Sequence, residues 1–195
     1  MSILAGFMIG LGAIVYLSVG GPVGALLFAV GLLTICVFKL DLFTGKIGLV
    51  ATGDITFVKL LEVWVGNFIG TFIAASIMLG TPRFAALSEA AAAISQVRMA
   101  NGPVANLLLG IPCGVLMFVA VTGYRDSRNA LFVFIPVAAF ILCGFNHCVA
   151  DMMYIHLGAE SWTEYRTLIP TTIGNAIGAI GFNYIWNKCK FCRTM

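Results

Sequence analysis

Three polar side chains of useful chemistry stand close together in GFNHCVADMMY, residues 144–154. They are Asn146, His147 and Asp151. They follow ALFVFIPVAAFILC, fourteen residues without a charge. An imidazole with a free pKa of about 6.5 can hold or release a proton near neutral pH. An amide and a carboxylate beside it could orient that proton. His147 and Asp151 are spaced four apart, so they share a face if the stretch is helical. An ionised Asp151 beside the ring would hold His147 as imidazolium and favour an anion. Alternatively, Asp151 points at an interface between copies of the chain or bonds backbone amides. Histidine and aspartate at this spacing can also ligate a metal. No second histidine-rich helix supplies further ligands, so a metal site would have two convincing ligands at most. A lone histidine in an apolar segment is commonly a packed, hydrogen-bonded residue, and only its surroundings raise His147 above that.

Those surroundings are apolar to an unusual degree. The chain has 195 residues, 61% hydrophobic and 10% charged, with a mean hydropathy of +1.03. Soluble domains carry about 25% charged residues. A water-soluble fold of this size could not hide so much apolar surface, so lipid is the expected solvent. Lys39 is the first charged side chain, and Met1 and Ser2 offer no basic region of the kind that starts a cleaved signal peptide. The net charge is +3, and no basic run suggests nucleic acid.

A helix needs about 20 apolar residues to span the bilayer core. Six stretches qualify, at about 3–20, 23–38, 61–79, 104–123, 130–145 and 167–186. Polar residues from Lys39 to Glu62 and a longer loop over 80–103 are expected between them. Cytoplasmic loops are enriched in lysine and arginine. With both termini inside, that side receives Lys39, Lys46, Lys59, Arg125, Arg128, Lys188, Lys190 and Arg193, against Arg83, Arg98 and Arg166 outside. The six cysteines fit the same picture. Cys36, Cys113, Cys143 and Cys148 read as small hydrophobes. Cys189 and Cys192 form a lone CxxC in a basic, reduced tail, short of the ligands that zinc needs.

The chain also echoes itself. VGNFIG at 65–70 and IGNAIG at 173–178 share the pattern G-N-x-I-G, at Gly66–Asn67 and Gly174–Asn175. Three helices separate them, an odd number, so the halves would sit inverted in the membrane, as in many transporters. Two apolar segments are interrupted. One contains Lys39, Asp41 and Thr44–Gly45; the other contains Asn146 to Asp151. Irregular backbone at membrane depth is tolerated only where protein buries it or it lines a cavity. The expected fold is an all-α polytopic membrane protein, one transmembrane domain over 1–195. Its six transmembrane helices form two inverted three-helix repeats, about 1–80 and 104–188, with helices two and five broken.

DLFTG at 41–45, VGNFIG at 65–70, GFNHCVADM at 144–152 and LIPTTIGNAIG at 168–178 together resemble the formate/nitrite transporter family, over nearly the whole chain. That resemblance implies an aquaporin-like channel, a homopentamer with one pore per protomer, carrying small monovalent anions such as formate, nitrite, hydrosulfide or lactate. It implies a central pore histidine at His147, with Thr44 bonded near it. It implies an inner constriction of Leu42 and Phe43 and an outer one of Phe28, Leu32 and Phe140. Arg98 falls where the family draws anions in with a lysine, and Asn67 and Asn175 match the amides that brace the broken helices. Asn146 and Asp151 depart from the family pattern, which often has an acid before the histidine and an asparagine four residues after it. His156 replaces a frequent proline and reads as an interfacial residue. Gly114 replaces a common asparagine. The amphipathic gating helix of the family has no counterpart before the first apolar segment.

A charge at the bilayer centre costs about 2.5 to 3.5 kcal/mol even on lenient scales. A neutral weak acid avoids most of that. The expected mechanism therefore has Arg98 concentrate anions. His147 or its water then shares a proton with the anion between two apolar rings. The reading calls for a proton and a bilayer as partners, in a prokaryotic inner membrane. It calls for no enzyme activity, no cofactor and no metal. The competing readings are an intramembrane metal or redox protein using His147, Asp151 and the cysteines, a neutral-solute pore, and a structural subunit. A neutral-solute pore of the aquaporin type would carry paired Asn-Pro-Ala motifs, which are absent. A structural subunit would not explain the paired breaks.

Overall fold

The computed structural model describes residues 1–193, with side chains through residue 189. Helix α1 (Ser2–Val19) turns through Gly20 and Gly21, both at positive φ, into α2 (Gly21–Leu27), which carries Pro22 in its first turn. One irregular residue, Phe28, joins α2 to α3 (Ala29–Phe38). Lys39 closes α3 in the left-handed region. A short extended stretch leads to α4 (Phe43–Lys46) and a 3-10 turn, Ile47–Thr52. Helix α5 (Phe57–Leu79) starts at Thr56, whose side chain accepts from the Lys59 amide.

The loop expected over 80–103 is mostly helix. Helix α6 (Phe84–Ser127) begins there and breaks at Gly102, whose φ of 72° cannot continue a helix, just ahead of Pro103. FAALSEAAAAISQVRMAN is rich in alanine, the best helix former. Its buried stripe of Leu87, Ala91 and Ser95 packs inward. Low hydropathy hid it from a search for membrane spans. Helix α7 (Leu131–Leu142) follows, then the interruption from Cys143 to His147, with Gly144 at φ 69°. Helix α8 (Cys148–Gly158), a 3-10 turn (Trp162–Thr167) and α9 (Leu168–Arg193) complete the described chain. Among the described residues there is no strand.

Ser2–Val19, Gly21–Phe38, Phe57–Leu79 and Phe84–Ser127 are each long and apolar enough to cross a membrane. Leu131–Leu142 is a shorter apolar helix. Val23, Phe72, Leu108, Ile135 and Ile169 lie well exposed, while Asn67, Asn106, Asn146, His147 and Asn175 are buried. Apolar outside and polar inside is the arrangement that a lipid solvent selects.

Two close pairings hold the bundle: α1 against α5, and α6 against α9. Both depend on glycine. A Cβ at Gly6 would overlap the Asn67 carbonyl, and one at Gly114 would overlap the Asn175 carbonyl. Small residues let backbones approach where lipid offers no hydrophobic drive. A larger side chain at position 114 could not fit this spacing. Gly114→Ala should therefore lower the thermal midpoint of the purified protein by the equivalent of about 1–3 kcal/mol. Gly181→Ala, where a Cβ meets nothing within 4 Å, should not. Equal behaviour of the two variants would contradict the packing account.

Candidate functional site

The two interruptions are built alike. In the first, the Asn67 side chain accepts from the Phe43 amide at 2.9 Å and donates to the carbonyls of Asp41 (2.9 Å) and Ser2 (2.8 Å). In the second, Asn175 accepts from the Cys148 amide at 2.9 Å and donates to the carbonyls of Asn146 and Gly110, both at 2.8 Å. Each amide clips a broken strand of backbone to the neighbouring helix. Both asparagines are 0% exposed, so no solvent could replace these bonds. Leu42 and His147 hold matching places as the extended residues capping α4 and α8.

The breaks meet at Thr44 and His147. The Thr44 Oγ1 lies 2.8 Å from His147 Nε2. His147 Nδ1 accepts from the Ala150 amide at 3.0 Å, capping α8. An acceptor at Nδ1 puts the ring proton of the neutral imidazole on Nε2, which donates to Thr44. The ring is 1% exposed and Thr44 is 0% exposed.

Apolar rings flank this bond. Phe140 lies 5.5 Å from the His147 ring and meets Phe28 edge-on at 5.7 Å. Leu32 and Phe43 are buried in the surrounding core. Two cavities lie beside α6, one at Val121, Tyr124 and Arg125 near its C-terminal end and one at Ala93, Ile94, Val97 and Arg98 of its first arm. One, of about 350 Å³, is lined by Leu42, Gly45, Lys39, Lys46, Arg125 and Arg128 among others. The other, of about 280 Å³, is lined by His147, Phe140, Arg98, Asp151, Tyr16 and Tyr154 among others. We call them the basic cavity and the histidine cavity. Phe28, Leu32 and Phe43 line neither.

Asp151 does not reach His147. Both ring nitrogens already have partners, and the capping residue's extended backbone takes the ring off the α8 face that a four-residue spacing assumes. Its Oδ1 pairs instead with Arg98 Nε at 3.4 Å, and its Oδ2 makes no hydrogen bond. Arg98 also reaches the Gly144 carbonyl at 3.4 Å. Asn146 donates to Asn106 Oδ1 at 2.9 Å, and Asn106 donates to the Arg98 carbonyl at 2.7 Å. The structure thus gathers Thr44, His147, Asn146, Asp151, Arg98, Asn67 and Asn175 around the breaks. Sequence reasoning missed Asn106, although a single amide in an apolar stretch was a usable signal. His156, expected at an interface, is half-buried near the end of α8. It packs against Phe68, Phe72 and Tyr165, with ring centroids 4.6 to 5.8 Å away. Among the described residues no group of three histidine, cysteine or acidic side chains could hold a metal. Cys192 of the CxxC lies outside the described side chains.

Two amide-braced breaks meeting at a buried polar pair, with a cavity on each side, define a multi-pass membrane protein of the channel or transporter class. The sequence profile of the formate/nitrite transporter family matches residues 1–187, and the chain belongs to that family. It is 29% identical to formate channel FocA of Haemophilus influenzae over 207 residues, covering 83% of this chain and 73% of that protein. The fold superposes on a solved pentameric formate channel with formate bound at a TM-score of 0.82 and 25% identity, covering 98% and 95% of the two chains. It also superposes on an FNT family ion channel at a TM-score of 0.84 and 19% identity, covering 97% and 88%.

Asn175→Leu removes one acceptor and two donors from buried backbone, each worth about 1–3 kcal/mol when left unpaired. It should lower the thermal midpoint far more than Asn187→Leu, which loses one bond to Asn183. Comparable losses would mean that the Asn175 bracket is dispensable.

Proposed function

We propose that this chain is a transmembrane channel or proton-coupled carrier for a small monovalent weak-acid anion of the formate, nitrite or hydrosulfide class. The observation that carries the reading is the buried Thr44–His147 hydrogen bond where the two braced breaks meet between the cavities. Relatives named as formate channels support the substrate class.

In this reading the path runs from one cavity to the other past Leu42, Thr44, His147 and Phe140. Phe28, Leu32 and Phe43 keep the surroundings dry. A dry constriction strengthens every polar contact within it and resists a bare charge. His147 Nε2–H and the Thr44 hydroxyl are the donors that meet an arriving anion. An anion that accepts from Nε2 takes the place of Thr44 as partner. A proton drawn from water of the entry cavity then joins the anion while it is held by Nε2–H, so it passes the apolar rings as the neutral acid and releases that proton on the far side, and His147 keeps its own ring proton throughout. An imidazolium would set Nδ1–H against the Ala150 N–H, two donors face to face. To carry a second proton the ring must therefore turn away from its cap.

The same reading arranges one transmembrane domain as six crossings in two inverted repeats. The matching brackets, Asn67 on Asp41 and Phe43 and Asn175 on Asn146 and Cys148, support that arrangement. The glycine-dependent pairs α1–α5 and α6–α9 repeat it at the level of packing. The similarity to a pentameric channel supports a homopentamer. The weight of basic residues supports termini and basic cavity on the cytoplasmic face of a prokaryotic inner membrane.

Proteoliposome flux of formate, nitrite, hydrosulfide and lactate across pH 5 to 8 tests the proposal. At least one of these should move, faster at low pH, and His147→Asn should lose that pH response. If none moves, or if the variant reproduces the wild-type profile, His147 is structural and the pore reading fails.

A further inference from the structure

The two cavities differ in charge. The basic cavity is lined by Lys39, Lys46, Arg125 and Arg128. Asp41 pairs with Lys46 at 2.7 Å and Asp126 with Arg125 at 3.1 Å. Lys39 and Arg128 have no acidic partner among the described residues. The histidine cavity carries one cation, Arg98, and one acid, Asp151, which pair with each other. Tyr16, Tyr154 and His147 are its other titratable lining groups. One mouth therefore holds two uncompensated positive charges, and the other holds none.

Backbone geometry sharpens the contrast. Lys39 and Arg128 are the two non-glycine residues at positive φ among the described residues, at 54° and 58°. They close α3 and α6, the two helices whose ends frame the basic cavity. Glycine would close either helix with less strain. What a lysine or arginine adds there is a cation at the mouth. In the opposite cavity, Asp151 is 2% exposed and its Oδ2 has no hydrogen-bond donor. A carboxylate oxygen without a donor is a poor neighbour for an arriving anion.

Resting on the functional reading above, we infer that the chain captures its anion at the basic cavity, and that Asp151 silences the Arg98 mouth by occupying its one cation. Asp151 is thus a specificity-determining residue that sets from which face the pore saturates. Net direction still follows the gradient, because a passive pore must have equal ratios of maximal rate to half-saturation on its two faces at zero driving force. Tighter capture at the basic face comes with a lower maximal rate from that face.

Initial rates of radiolabelled formate movement in right-side-out and inverted membrane vesicles, with vesicles lacking the protein as blank, test this. At low ionic strength the half-saturation concentration should be about tenfold lower at the basic face, the lower end of what focusing supplies. Added salt should close that gap by raising the basic-face value, since exposed charges are screened. Asp151→Asn should lower half-saturation at the Arg98 face about three- to tenfold by freeing the guanidinium. Replacing Lys39 and Arg128 together by glutamine should raise it at the basic face. Equal, salt-independent values on the two faces would overturn the inference, as would an Arg98-face value that Asp151→Asn leaves unmoved or raises. Absence of saturable formate movement from either face would overturn the transport reading itself, and this inference with it.

Discussion

A peptide N–H or C=O left unbonded inside a hydrocarbon solvent costs several kcal/mol. Two places where helices stop inside the bundle would incur that cost. Asn67 and Asn175 meet it with one acceptor and two donors each. An asparagine suits the task because a single planar amide offers both roles at once. The brackets work only if helices come close, which is why Gly6 and Gly114 face the bracket carbonyls. Packing and the polar satisfaction of the breaks are therefore one problem with one solution, used twice.

The break is what frees the His147 ring from a helix surface. In a continuous helix its ring would lie along the helix surface. As an extended capping residue, it can hold Ala150 with Nδ1 and present Nε2 to Thr44 from the other break. The two interruptions thus supply different parts to one contact. In the proposed mechanism the apolar residues around it, Phe140 and Phe28 above all, set the low dielectric that makes a shared proton preferable to a bare charge. In the proposed pore the charge at each mouth decides how an anion reaches that contact, and the two cavities differ in the charges that line them.

Much of this was legible in the sequence, because the constraint leaves particular marks. An asparagine between glycines in an apolar run has few explanations in lipid, and finding it twice marks Asn67 and Asn175 as a pair. GFNHCVADM and DLFTG announced the breaks for the same reason. Pairing was less legible. The four-residue spacing of His147 and Asp151 suggested a shared helix face, but a capping residue is not on that face, and Asp151 turns to Arg98 from a distant helix. Asn106 was hidden because its partners, Arg98 and Asn146, come from different elements. The arm from Phe84 to Asn101 escaped a hydropathy search because alanine drives helix formation without making a strong apolar run. The aromatic contacts of His156 with α5 and the 3-10 turn were not legible, because those rings come from distant segments.

The central claim is that the anion crosses the Thr44–His147 contact together with a proton. Simultaneous recording of formate flux and internal pH in proteoliposomes holding the purified protein tests it most directly. The account predicts one proton moved for each formate, with no net current at any voltage. Formate movement that carries current and leaves internal pH unchanged would contradict it.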